Sequence, residues 1–519
     1  MFHARCRVIS ALVLVGATLG LASPASSAAP GAAVSGATVA DPVFPTLGNP
    51  GYDVTAYDLG LTYHEDTRLV DATVRITARA TDGLASFDLD SVGAQLGTVQ
   101  VDGRPAVATQ QEEKLTIVPA HPIPKGRRFV TRVSYTADPR MSVPGSGWVY
   151  TDDGFAVGGQ PDLAHSVFPC NDVPRDKARF VVHLDVPSTL TGVASGTLRA
   201  TSTADGRTRS TYVSEHPMAT ELLQVVVGQY TVVNRAGPNG EKLRDVVPTA
   251  EAAALEPALA LTPGQLAWLE QKLGPFPLEA YGIVPINSTA PPNFDFTGLE
   301  TQTLTLYRST YLLQPEAKIA SHMMHELVHS WFGDSVTPQT WADLWLNEGH
   351  ADFYGLLYRY EKGWPDSRGY TTMEDRMRYT YSQGDLWRST SGPVASPNAA
   401  NLWDNQRYTG GVLVLYALRE KIGEEAFDRV EHTFLARYRD RTASTEDYIR
   451  VATQASGQDV TSFLRDWLYG TTTPPMPGHP DWTVTPAVPA VAPAVASGAS
   501  VVPFGIRVPQ IHDDASATR

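Results

Sequence analysis

HELVHSWFGDSVTPQTWADLWLNEGHADFY, residues 325–354, is the stretch from which the rest of the chain can be read. It opens on His325-Glu326-Leu327-Val328-His329. On a helix, positions four apart share a face about one turn (~6 Å) from each other, so the two imidazoles can close on one metal ion. Zinc favours nitrogen donors in a tetrahedral set, and a catalytic zinc needs a third protein ligand and one open position. Glu326 is turned roughly 100° from the histidines, which suits it to act as a base on a water at such a centre rather than to ligate. Beyond a loop with Gly333 and Pro338, residues 341–361 are patterned as a helix and carry Glu348, with 18 residues (330–347) between it and His329. That distance fits a helix, a turn and an antiparallel return helix. Spacing alone leaves Glu348, Asp343 and Asp352 all as candidates for the third ligand.

Other polar residues nearby are read differently. His322 shares the face of His329, but ~10 Å of rise separates them, too far for one ion to join them. It is expected to pack against the motif or support it. His350 lies about 200° around the helix from Glu348 and is expected to face away. Asp343 is a candidate to orient one of the ligands.

Working outward, residues 45–234 consist of short alternating runs broken by turn residues, such as ATVRITARA (72–80), RFVVHLDVP (179–187) and LLQVVVGQYTVV (222–233). Runs of this length and spacing predict an antiparallel β domain. From about 235 to 475 the period becomes helical, in 252–274, 315–332, 341–362, 406–422 and 443–456, with one strand-like segment, ETQTLTLY (300–307). The metal motif thus falls in a mainly helical α/β domain. Residues 29–44 read as a flexible lead-in, and 476–519, where Pro, Ala and Val alternate without period, as a flexible tail.

The N-terminus predicts export. Arg5 and Arg7 precede an apolar run, Val8–Ala22, and small residues follow, with cleavage expected near Ala28 so that 1–28 is a signal peptide. No other stretch is apolar for long enough to span a bilayer, so no stable membrane insertion is expected. Loss of the signal would leave Cys170 as the lone cysteine, which predicts a buried packing role rather than a disulfide. A net charge of −14 and the lack of a basic run with interleaved aromatics argue against nucleic-acid binding. A serine-hydrolase elbow, a phosphate-binding glycine loop and a dinucleotide fingerprint are absent from the sequence.

The 325–354 segment resembles the zinc-binding segment of the aminopeptidase N family of gluzincins, which includes the leukotriene epoxide hydrolases. The resemblance implies one zinc ion held by His325, His329 and Glu348, with Glu326 as general base. Three further segments match in order. QPDLAHSVFPCNDVPRDKARF (160–180) resembles the family's β-domain stretch in which a Gln and an acid two residues on face the active site, implying Gln160 and Asp162. TGLET (297–301) stands where the family carries the exopeptidase signature Gly-x-Met-Glu-Asn, and Glu300 retains the Glu that anchors the substrate amine. Thr297, Leu299 and Thr301 replace its Gly, Met and Asn. RYTGGVLVLYALREKIGEEAF (407–427) resembles the segment with the transition-state tyrosine, here Tyr408, although Gly410 stands in place of the usual Lys or Arg.

The resemblance covers about 45 to 475. It implies a β-sandwich or saddle domain followed by a thermolysin-like catalytic domain, in a short secreted bacterial-type member without the large helical C-terminal domain. Such a short form is expected to have a more open site, less restrictive of peptide length. The expected function is that of a secreted, monomeric zinc aminopeptidase acting on peptides with a free N-terminus. An endopeptidase of the same clan and a secreted binding protein with a relict site are the rival readings.

Overall fold

The computed structural model describes residues 40–140, 146–287 and 296–485. The expected signal peptide and most of the expected tail lie outside these residues. Among the described residues no helix is long and apolar enough to cross a membrane.

The first half is built on strand alternation. In the strand Val70–Ala80, Val70, Ala72, Val74, Ile76, Ala78 and Ala80 are buried while the intervening residues face outward, the period of a sheet with one wet face. This strand lies between Tyr52–Tyr63 and Arg128–Ala137 in an eight-stranded sheet. Tyr52–Tyr63 is flanked on its other side by Arg179–Pro187, and these two run parallel, Ala56 opposite Arg179 through Thr62 opposite Asp185. The sheet is therefore mixed at this one junction rather than antiparallel throughout. A four-stranded sheet (Thr191–Ala194, Val225–Gly228, Phe155–Val157, Trp148–Tyr150) and a three-stranded one (Phe87–Asp90, Lys114–Val118, Val107–Gln111) complete this half. Its core includes Tyr57, Phe155, Phe168 and Phe180. Cys170 is free and buried there, and burial holds its thiol well above the ordinary value.

Strands give way to helices at Thr249 rather than at 235, because Tyr230–Ala236 and Lys242–Pro248 pair as a hairpin across that point. The second half holds helices Ala252–Leu259, Thr262–Leu273, Glu316–Val328, Trp345–Glu361, Met373–Ser391, Thr409–Ile422, Glu424–Tyr438, Thr445–Ser456 and Thr461–Tyr469 around a large shared core. The expected strand 300–307 is shorter: Gly298–Leu299 and Thr305–Arg308 pair, and Glu300–Leu304 turns between them. Thr303, at φ +69°, occupies the left-handed region in that turn.

Packing reaches into both expected flexible ends. Asp41 accepts from Val43 N at 2.8 Å and from Trp341 N at 2.8 Å, tying the expected lead-in to the helical half. At the other end Met476 and Trp482 are buried, and the Trp482 ring lies parallel to Tyr416 at 6.1 Å.

Candidate active site

His325 lies in the last turn of helix Glu316–Val328, and His329, its C-cap residue, keeps helical dihedrals (φ −57°, ψ −23°). The four-residue offset is therefore preserved, and the two Nε2 atoms lie 3.2 Å apart. Glu348, in the first turn of helix Trp345–Glu361, brings Oε2 to 3.2 Å from His325 Nε2 and 3.6 Å from His329 Nε2. Each histidine's outer nitrogen is occupied. His325 Nδ1 faces Asp352 Oδ1 at 2.8 Å, and His329 Nδ1 faces the Phe332 carbonyl at 3.0 Å. An Nδ1–H donated outward leaves the Nε2 lone pairs converging on the Glu348 carboxylate.

Glycines let the helices approach this closely. A Cβ on Gly355 would meet the Ser321 carbonyl at 2.9 Å, so the two ligand-bearing helices touch backbone to backbone there. One on Gly349 would meet Gly411 Cα at 3.0 Å, which joins Trp345–Glu361 to Thr409–Ile422. That crossing sets Tyr408, the N-cap residue of the latter helix, over His325, with rings 6.1 Å apart and 14° from parallel.

Glu326 is buried beside this set. Burial, with the carboxyls of Glu300, Glu348 and Asp334, pushes it well above the ordinary range, while His325 opposes. Burial and the neighbouring Glu348 and Glu300 likewise keep the Tyr408 phenol protonated, hence a donor. Glu300 sits in the turn after Leu299, with Oε1 3.9 Å from His329 Nδ1. Gln160, from the β half, donates Nε2 to that Oε1 at 2.7 Å, which leaves its amide oxygen as an acceptor.

Asp162 lies two residues beyond Gln160, and burial first, then Asp172, pushes its carboxyl up to about 7. Asp343 does not orient a ligand. It binds Thr340 N and Oγ1 through Oδ2 and Thr445 N and Oγ1 through Oδ1, and the acid that faces His325 is Asp352. His350 faces away, with Nδ1 2.7 Å from the Leu346 carbonyl and Nε2 3.2 Å from Glu431. Two buried acids given no role so far also feel Glu300. They are Asp334, in the loop after His329, and Glu221, whose carboxyl burial pushes up to about 8.

The model of the Peptidase family M1 domain matches residues 258–467, and that of the Peptidase M1 N-terminal domain matches 54–222. The chain belongs to peptidase family M1. Rat glutamyl aminopeptidase is 28% identical over 360 residues, covering 63% of this chain and 37% of the relative. Aminopeptidase M1-B of Oryza sativa subsp. japonica is 29% identical over 317 residues, 59% and 35% of the two chains. The chain thus spans little more than a third of the length of these curated relatives. A mutant M1 zinc metallopeptidase from Deinococcus radiodurans, solved with a Tyr-Ser-Ala substrate, superposes with a TM-score of 0.71 at 28% identity, over 84% of this chain and 99% of that one.

The residues present fit the zinc that the M1 family implies. Glu348 Oε2 is buried with no hydrogen-bond partner, at the point where two imidazole nitrogens converge. Two nitrogens and one carboxylate oxygen form a catalytic zinc donor set with room for a fourth ligand. Buried Glu326 also feels the carboxyls of Glu300, Glu348 and Asp334, a crowding of acids that a cation would relieve.

Proposed function

We propose that this M1 chain is an exported zinc aminopeptidase that removes single residues from the free N-terminus of peptides. The observation that carries the reading is the Glu300 carboxyl, held by Gln160 and lying 3.9 Å from His329 Nδ1. A terminal ammonium bound there would turn its own residue's carbonyl toward the side chains that would hold zinc, whereas an internal peptide nitrogen carries no such charge for Glu300 to bind. Charge-assisted hydrogen bonds to such a carboxylate are the strong kind, which suits recognition of the terminal amine.

Bound zinc supplies a Lewis-acid centre that polarises a carbonyl and lowers the pKa of water. Glu300 accepts from the substrate ammonium, with the Gln160 amide oxygen as second acceptor. Glu326 takes the proton of the attacking water and passes it to the leaving amine. Tyr408 donates its phenolic hydrogen to the developing oxyanion, a contribution typically worth a few kcal/mol. Export rests on Arg5, Arg7 and the apolar run Val8–Ala22. It is tested by the N-terminal sequence of protein recovered from the culture medium, which should begin just after Ala28.

The test of activity compares alanyl-, leucyl- and arginyl-p-nitroanilide with their N-acetylated forms, with and without a zinc chelator. Chelator-sensitive cleavage confined to free amines is expected. Cleavage of the blocked forms at similar rates would replace this reading with an endopeptidase. Silence on all substrates with zinc bound would favour a binding protein.

A further inference from the structure

His322 stands one helical turn before Glu326, and its imidazole is buried. Its Nε2 lies 3.4 Å from Glu326 Oε1. Neither His322 ring nitrogen has a hydrogen-bond partner, and Glu326 Oε2 has none either. The ring is clamped on three sides. It stacks on His325 with centroids 5.8 Å apart, and it meets Tyr311 and Tyr307 edge-on at 5.1 and 6.0 Å. Across the carboxylate lies the backbone of Gly298, where an added Cβ would overlap Glu326 Oε1. The Glu326 carboxylate is therefore seated in a slot between an imidazole and a strand.

A buried polar group left unpaired costs on the order of 1–3 kcal/mol, so an imidazole between two tyrosines is a costly filler unless its N–H is used. Every imidazole carries at least one N–H. Nδ1 has no acceptor, whereas Nε2 faces a carboxylate, so the tautomer with hydrogen on Nε2 is favoured. Catalytic hydrogen bonds are often long before substrate binds and tighten in the complex. We propose that His322 is a positioning residue for the general base. Its Nε2–H holds Oε1 of Glu326 and leaves Oε2 as the atom that receives the proton of the attacking water. The proposal rests on Glu326 serving as base in the aminopeptidase reading above.

The test uses the full chain and leucyl-p-nitroanilide, measuring kcat, KM and zinc per chain. His322→Phe keeps the ring and its stacking and removes the donor. It should retain zinc and KM while kcat falls about tenfold, as expected for a misplaced base. His322→Gln, whose amide N–H reaches a similar point, should recover most of that loss, which a filler role would not bring about. If His322→Phe does not fold, His322→Met fills the slot without a donor and takes its place. A donor-less variant with kcat within twofold of the wild type overturns the proposal. So does His322→Gln as slow as the donor-less variant with zinc intact. A wild type that does not cleave free-amine substrates overturns the aminopeptidase reading itself.

Discussion

Glu300 and Glu348 are both buried carboxylates near His329, and what already holds each one separates their roles. Glu348 Oε2 has no hydrogen-bond partner and faces two imidazole nitrogens, whereas Glu300 Oε1 is held by an amide from the β half. Glu300→Ala should raise KM and lower kcat for free-amine substrates, and an unchanged kcat/KM would remove the amine anchor from the account. Tyr408→Phe should cost kcat on the order of a hundredfold with zinc content unchanged, read from steady-state rates beside metal analysis. Asp352→Ala frees the His325 ring to turn. It should weaken zinc binding roughly 10- to 100-fold in a competition titration with a chelator. His325, Glu326, His329 and Glu348 were legible in the sequence because a helix fixes how positions four apart relate, and a long motif singles out the return-helix acid. Asp352 was not separable from Asp343, since which one faces His325 depends on where the return helix begins. That Glu221 of the β half feels Glu300 depends on how two halves of the chain meet, and no local pattern encodes that.

At the scale of elements, glycine contacts set the site's dimensions. Gly411 lies so close to helix Trp345–Glu361 that an added Cβ would stand 2.8 Å from Gly349 Cα. Both neighbours are backbone, so relief requires the helices to part. Gly411→Ala should destabilise the fold by about 1–3 kcal/mol, and it should also slow kcat because Tyr408 moves with its helix. Thermal melts and kinetics on the zinc-loaded variant check both, and a variant with wild-type melting and rate would refute the crossing as the determinant. Strand and helix regions were readable from periods of two and 3.6. The segment 300–307 was not, because its alternating Thr and Leu suit a strand while Thr303 takes a left-handed turn. The parallel pairing of Tyr52–Tyr63 with Arg179–Pro187 was equally hidden, since alternation reports which face is buried and not strand direction. Helix Met373–Ser391 is largely polar, with Met373, Met377, Thr380 and Tyr381 among its buried residues, too sparse a stripe to announce itself.

At the scale of the molecule, the β half and the catalytic half are tied at the site itself. Lys177 donates Nζ to the Asp334 and Ser335 carbonyls at 2.7 and 2.9 Å, anchoring the loop that follows the metal motif. Gln160 reaches Glu300 across the same boundary. Buried carboxyls also shape the pH dependence of stability. Burial pushes Asp176, in the β half, up to about 7 from its ordinary value of 3.8. Between those pH values the folded chain holds a proton that the unfolded chain has released, so stability falls as pH rises through this window, by at most about 1.4 kcal/mol per unit for one group. Melts of chelator-treated protein should show that decline, and Asp176→Asn should flatten it. An unchanged slope in the variant would assign the decline elsewhere.

In the proposed reaction a zinc held by His325, His329 and Glu348 works with Glu326 as base. It is tested most directly by measuring zinc per chain and leucyl-p-nitroanilide turnover side by side for the wild type and Glu326→Gln. One zinc per chain in both and turnover lost in the variant alone are the expected results. Turnover that survives in Glu326→Gln, or a zinc-loaded wild type that cleaves nothing, would contradict it.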